Sequence, residues 1–170
     1  MVNCTSKTYQ MKREILTFSN KISRKLPKPE KKFIADMNYG ILASNSCLLT
    51  DIVDQLHEHS KKINSVDRLS RHLSKGTPKD ALRAYLTHIK KWCPAHPVIH
   101  IDDSDVVKPD GYKFESLGWV RDGSESTSTK NVYKKGYHVT EATVLTNNNH
   151  PVSLFSKIHS SNEKGFTSIN

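Results

Sequence analysis

Apolar residues recur at every third or fourth position through the first half of the chain. In the first such stretch, residues 9–25, they stand at Met11, Ile15, Phe18 and Ile22, the spacing of one face of a helix. The same spacing continues through four more segments, which are bounded by Pro, Gly or small polar residues: 30–43, 47–59, 66–75 and 80–91. The pattern predicts five amphipathic helices with short connectors.

The second half of the chain has the spacing and composition of strands. The β-branched run 97–103 predicts a first strand, which ends in two aspartates. Residues 137–146 and 151–158 are rich in strand-forming residues and flank a polar turn, which predicts a β-hairpin. The polar, glycine-dotted segment 104–136 predicts a long excursion between them. The predicted class is α+β, with a helical module over residues 1–93 and three antiparallel strands after it.

The charge of the chain is divided unevenly between these halves. The net charge is +9, of which residues 1–96 contribute +10 and residues 97–170 contribute −1. A cationic surface attracts polyanions, because each neutralised phosphate releases counterions. The charge therefore favours a nucleic-acid partner for the helical half, and a merely solvated basic surface is the alternative.

Cysteine content and hydropathy bear on the compartment of the chain. The three cysteines, Cys4, Cys47 and Cys93, are odd in number and widely spaced, which argues against a disulfide scaffold and favours a reducing compartment. The mean hydropathy is −0.61, and no apolar run reaches the length of about 18 residues that a membrane span needs. We therefore expect a cytoplasmic protein with no membrane partner.

The predicted fourth helix, which Ser65 is expected to cap, divides into an apolar and a cationic stripe. Val66, Leu69 and Leu73 form the apolar stripe. The cations of the opposite stripe are Arg68, Arg71, His72 and Lys75. A short basic helix on a compact helical support is how helix-turn-helix modules enter the major groove, where arginine binds guanine or clamps phosphate. The pattern thus indicates a DNA-binding helix, and an ordinary amphipathic helix with a basic polar face is the alternative.

The acidic pair Asp102-Asp103 follows the apolar residues of the first predicted strand. Carboxylates at such a position are ligands that hard divalent cations prefer, and two-metal sites for phosphoryl transfer need several of them. Because successive side chains of a strand point to opposite faces, only one member of the pair can serve a given site. By spacing alone, a strand end that starts a turn explains the pair better than a metal site does.

Longer stretches of the sequence are similar to a known family. The most specific is Val98 to Pro109 (Val-Ile-His-Ile-Asp-Asp-Ser-Asp-Val-Val-Lys-Pro). Further segments with the same similarity are 113–118, 120–124 and 134–141, and in the helical half 36–42 and 67–73. Together they resemble bacterial insertion-sequence DDE transposases over about residues 30–170: the first catalytic block in the strand half, and the N-terminal DNA-binding part in the helical half.

The resemblance implies an RNase H-like catalytic domain over residues 94–170. In that family three carboxylates hold two Mg²⁺ ions, one activating the nucleophile and the other stabilising the leaving oxygen during displacement at phosphorus. The family motif places the first catalytic aspartate directly before Ser or Thr, which makes Asp103 the implied catalytic and metal-binding residue. The implied partner is double-stranded DNA at transposon ends, with self-association on paired ends and a location at the bacterial nucleoid.

One part of the family pattern has no counterpart in this chain. The family's second aspartate lies on a fourth strand and its glutamate on a later helix, and neither Glu141 nor Glu163 matches them. The expectation is therefore a truncated, catalytically incomplete transposase that binds DNA. A stand-alone DNA-binding regulator of transposon ends, without enzymatic activity, is the second hypothesis.

Overall fold

The chain forms five helices and a four-stranded antiparallel sheet within residues 4–166, the part that the computed structural model describes; side chains are described from residue 7 onward. The helices are α1 (Cys4–Ile22), α2 (Lys28–Ser44), α3 (Leu49–Leu56), α4 (Lys62–Leu73) and α5 (Lys79–Ile89). The strands are β1 (Ile99–Val107), β2 (Gly118–Arg121), β3 (Tyr133–Leu145) and β4 (Pro151–His159). The predicted α+β class and the five helices are confirmed.

The chain divides into two compact units. Met1–Lys91 contains the helices and Trp92–Asn170 contains the sheet. Among the described helices, none is both long enough and apolar enough to span a membrane. Cys47 and Cys93 form no disulfide within the described residues, and the side chain of Cys4 lies outside the description.

The helical unit is organised around one apolar core. Its buried members come from α2 to α5 and from the segment that joins α1 to α2: Leu26, Phe33, Ile34, Ile52, Val53, Leu69 and Ala81. α2 comes close to α3 at Gly40, where an added Cβ would collide with the side chain of Ile52. Such close packing leaves no room for even one methyl group, so it fixes the distance between the two helices.

The helix boundaries differ from the predicted ones around α3 and α4. α3 ends at Leu56, because His57 adopts a left-handed conformation with φ of 50°. α4 begins at Lys62, so the prediction that Ser65 caps it is wrong. Ser65 is buried inside the helix, and its hydroxyl donates a hydrogen bond of 2.6 Å to the Glu58 carboxylate. This internal partner explains why a polar residue lies on the core side of α4.

β3 is the centre of the sheet. β1 pairs with it along one edge, and β4 and β2 pair with it along the other. β2 lies in the segment that the sequence predicted as an excursion, so the prediction of three strands is wrong by one. Its alternation of buried Gly118 and Val120 with exposed Trp119 and Arg121 is a strand pattern. That pattern is hard to recognise because a glycine takes an inner position and a tryptophan an outer one.

The first strand is longer than predicted. It does not end at Asp103 but continues in register with β3 to the pair Val107–Gly136. Eight of its nine residues are exposed, so polar side chains can occupy both faces without a cost of burial. Asp102 and Asp103 therefore lie in the middle of an edge strand, and the expectation of carboxylates at a strand end is wrong.

Candidate functional site

The exposed cations of the predicted DNA-binding set lie at the C-terminal end of α4. Arg71 is exposed, and its Nε donates to the carbonyl of Asp67 at 3.3 Å. Lys75 is exposed in the turn just after α4, which its amide closes onto the carbonyl of His72. These two side chains are accessible to a macromolecular partner.

Arg68 lies on the side of α4 that meets α2. One of its guanidinium nitrogens, Nη2, is 2.8 Å from the Asp36 carboxylate and 3.1 Å from that of Glu58. Lys32 on α2 contacts the same two carboxylates, at 3.0 Å from Asp36 and 2.5 Å from Glu58. We call these four residues the α2–α4 charge cluster. It links α4 to α2 and to the residue that follows the α3 turn, and it leaves Arg68 only a quarter exposed.

The charge cluster shifts the titration of its members. Burial alone would raise the pKa of the Glu58 carboxyl, but hydrogen bonds from Lys32, Ser65 and Arg68 outweigh it and lower that pKa to about 2. For Lys32, burial acts to lower the pKa, and the neighbouring carboxylates of Glu58 and Asp36 raise it above its ordinary value. Both groups are therefore charged at neutral pH, as an ion-pair cluster requires.

His72 packs inward instead of projecting with Arg71. Its ring stacks on that of Phe33, with centroids 5.0 Å apart and planes 17° from parallel. Of the apolar stripe predicted opposite, Leu69 is buried, whereas Leu73 is 47% exposed. The inner face of α4 is thus rotated from the predicted one, toward Arg68 and His72. The structure places two of the four predicted cations outward and two against the helical core.

A second basic surface lies outside the predicted set. It is a groove of about 520 Å³ between the end of α1 and one face of α5, which we call the α1–α5 groove. Five cations line it: Lys21, Arg24, Lys25, Arg83 and Lys91. The spacing of the α5 members along one helix face was visible in the sequence, but their proximity to the end of α1 follows only from the packing.

The Asp103 carboxylate lies on one face of the sheet with hydroxyl and imidazole groups. It accepts a hydrogen bond from Thr140, and the Thr140 oxygen is 3.1 Å from Nε2 of His159. On the same face, Asp105 is 2.6 Å from Nδ1 of His138. Asp102, which the register pairs with Glu141, lies on the other face of the sheet, as the alternation of a strand requires.

This face does not fit a site for two magnesium ions. Within residues 7–166, no three His, Cys, Asp or Glu side chains come together as a metal would need. The hydrogen-bond partner of Asp103 is the Thr140 hydroxyl, and the next group along is the imidazole of His159, whereas Mg²⁺ prefers carboxylates, phosphates and water. The described donor set is therefore that of a hydrogen-bonded polar face, and no reaction step through magnesium follows from it.

A third carboxyl, Asp122, organises the loop after β2. One of its oxygens accepts hydrogen bonds from the hydroxyl and the amide of Ser124, and the other lies 2.9 Å from the Lys134 ammonium group. The Ser124 hydroxyl contributes most and Lys134 next in lowering the pKa of Asp122 to about 2. The carboxylate oxygens of Asp122 are used to fix the loop, so the burial and the lowered pKa of this residue have a structural explanation.

Comparison of the chain with protein-family models, with curated proteins and with solved structures finds no match.

Proposed function

We propose that the chain binds double-stranded DNA through its helical unit, with α4 as the helix that approaches the major groove. The observation that carries the proposal is the concentration of charge in this unit. Residues 1–96 have a net charge of +10, and the exposed Arg71 and Lys75 lie in the last turn of α4 and just after it. DNA is the partner that such a charge favours, because counterion release makes each phosphate contact favourable.

The arrangement of α3 and α4 supports a helix-turn-helix mode of binding. A five-residue connector, 57–61, joins them, and the left-handed His57 turns the chain at its start. α4 has 12 residues and so is about 18 Å long, enough to cross a major groove about 12 Å wide. In this mode one helix contacts the base edges while its partner helix packs behind it.

The α2–α4 charge cluster supports the same proposal in an indirect way. Arg68 is occupied by Asp36 and Glu58, so its role is to hold α4 in position, and the contacts to DNA fall to Arg71 and Lys75. A helix held at a fixed orientation loses less conformational entropy when it binds. This assignment narrows the original set of four cations to two that contact DNA and two, Arg68 and His72, that position the helix.

The sheet supports a relationship to the DDE transposases as part of the proposal. β1, β3 and β4 form an antiparallel ladder in which Asp103 lies on the first strand, as expected for the opening strands of an RNase H-like domain. Exposed apolar side chains such as Ile101 and Phe155 are those that a covering layer of helices would bury. We assign Asp103 as the position of the first catalytic carboxylate, and DNA binding as the activity of the described residues.

The test is equilibrium binding of the full chain to mixed-sequence duplex DNA, measured by fluorescence anisotropy. Replacement of both Arg71 and Lys75 by Gln should weaken binding about tenfold and reduce the slope of log affinity against log salt by about one to two. A variant with Lys113 and Lys130 replaced by Gln loses the same charge from exposed positions of the other unit and serves as the control. Equal affinities for the two variants would refute the assignment of α4.

A further inference from the structure

The α1–α5 groove has more cations than stabilisation of the two helix ends can explain. Lys21 lies in the last turn of α1, and Lys91 follows the end of α5, where cations stabilise the helix dipole. That effect accounts for one cation at each helix end. Arg24, Lys25 and Arg83 add three more around the same cavity. Within the described part of the chain, none of the five cations contacts a carboxylate more closely than 3.7 Å, the distance of Arg83 from Asp80.

The single carboxylate of the groove does little to neutralise it. The Arg83–Asp80 pair is formed between neighbours on α5, and the arginine side chain is 79% exposed. An exposed pair of this kind contributes little because water screens it. Five cations and one carboxylate leave a local excess of about four positive charges, in contrast to the α2–α4 charge cluster, where two cations meet two carboxylates.

The imidazole of His88 also lines the groove. His88 lies between the two helices, with its ring centroid 5.8 Å from that of Phe18. Burial, and then the charges of Lys21 and Lys91, lower the pKa of the His88 imidazole below its ordinary value. Two lysines of the groove thus add to the effect of burial in disfavouring a positive charge on His88.

We propose that the α1–α5 groove is a second phosphate-binding surface, which takes the backbone of the duplex DNA whose major groove meets α4. The proposal rests on the proposed function and adds a separate surface to it. Five flexible or forked cations around an open cavity suit phosphate oxygens, to which arginine and lysine donate charge-assisted hydrogen bonds. Contacts of this kind fix a protein on the duplex without reading its sequence.

The experiment compares three variants of the full chain in the same anisotropy titration on mixed-sequence duplex DNA. In the groove variant Lys21, Arg24 and Lys25 are replaced by Gln. In the control variant three exposed cations of the sheet unit, Lys113, Lys130 and Lys164, are replaced by Gln, so both proteins have the same net charge. In the third, the α4 variant, Arg71 and Lys75 are replaced by Gln. Far-UV circular dichroism checks that each variant keeps the helical content of the parent chain.

The proposal predicts that the groove variant binds duplex DNA at least tenfold more weakly than the control variant, with a salt slope smaller by about two. Equal affinity and equal salt slope in these two proteins would overturn the proposal that the α1–α5 groove binds DNA. If the groove variant binds like the control variant while the α4 variant binds DNA more weakly, the proposed function stands without the groove. If the groove variant alone is weakened, the groove stands and the assignment of α4 fails, whereas no binding by the parent chain refutes both.

A free phosphate compound is the other source of the same chemistry. Inorganic pyrophosphate is the probe, and the melting temperature of the parent chain and of the groove variant is the readout. The proposal expects duplex DNA to raise the melting temperature of the parent more than that of the groove variant. Stabilisation of the parent by pyrophosphate but not by duplex DNA would overturn the proposal, as would tight competition by single-stranded RNA that leaves the duplex unbound.

Discussion

The carboxylate of Glu58 connects more parts of the helical unit than any neighbouring side chain of the α2–α4 charge cluster. It is contacted by Lys32 of α2 and by Ser65 and Arg68 of α4. Each of these contacts compensates for the partial burial of the charge. Loss of the negative charge would leave Arg68 and Lys32 with Asp36 as their common carboxylate in the cluster.

Replacement of Glu58 by Gln should therefore lower the free energy of unfolding by about 1–3 kcal/mol at neutral pH, since hydrogen bonds to charged groups are worth about that much. Urea denaturation measures the change. Asp54→Asn is the matched control, because Asp54 pairs with Lys62 at 2.7 Å but both side chains are about half exposed. An exposed pair of this kind contributes about 0–1 kcal/mol, so equal losses in both variants would contradict the role of the cluster.

The parent chain and the Glu58→Gln variant also test how the stability of the fold depends on pH. The pKa of Glu58 is about 2 in the folded chain and lies near 4.5 without the cluster, so the folded state binds the proton more weakly. Its contribution to stability is thus complete above about pH 4.5 and is lost as the pH falls toward 2. The stability difference between the parent and Glu58→Gln should shrink over this range. A difference that stays constant down to pH 2 would show that the charge of Glu58 is not what stabilises the fold.

At the residue scale, the sequence could predict which side chains are cationic but not which are already paired. Arg68 and Arg71 are equivalent in the sequence pattern, both on the polar side of an amphipathic helix. The partners of Arg68 lie 10 residues away at Glu58 and in another helix at Asp36, so only the tertiary packing distinguishes the two arginines. His72 has the same explanation, since its partner Phe33 belongs to α2.

The packing of α2 against α3 depends on the absence of a side chain at one position. Gly40 is buried in α2, four residues before the helix ends, and a Cβ there would meet the Ile52 side chain at less than contact distance. The cost of glycine in a helix, about 1 kcal/mol relative to alanine, is therefore accepted for the sake of a close approach between the helices.

Gly40→Ala should destabilise the chain by about 1–3 kcal/mol despite the better helix propensity of alanine, because overpacking outweighs it. Thermal denaturation followed at 222 nm, the helical signal in circular dichroism, measures the effect. Gly123→Ala is the control, since a Cβ at Gly123 meets nothing within 4 Å and φ is not positive there. A Gly40→Ala protein as stable as the control would mean that α2 and α3 are less closely packed than described.

Elements with regular spacing were predictable from the sequence, and those that depend on a distant partner were not. The five helices and the hairpin of β3 and β4 have strong local patterns, and all are present. β2 has only four residues and is held by the first residues of β3, which lie beyond an 11-residue connection. The length of β1 likewise depends on its pairing with β3 and not on its own hydropathy.

At the scale of the whole molecule, the division of charge coincides with a structural division. The helical unit ends at Lys91 and contains all 18 of the Lys and Arg residues found in residues 1–96. The sheet unit has a net charge close to zero, with an acidic first strand. The sequence predicted this division from composition alone, because net charge requires no knowledge of the fold. The charged surfaces themselves, such as the α1–α5 groove, required the arrangement of the helices.

The most direct measurement for the central claim is the affinity of the unmodified chain for mixed-sequence duplex DNA between about 50 and 200 mM salt. We expect binding whose log affinity falls linearly with log salt, with a slope of several units, because both α4 and the α1–α5 groove are proposed to contact phosphates. Absence of binding at the lowest salt, or an affinity that does not change with salt, would contradict a DNA-binding role for the helical unit.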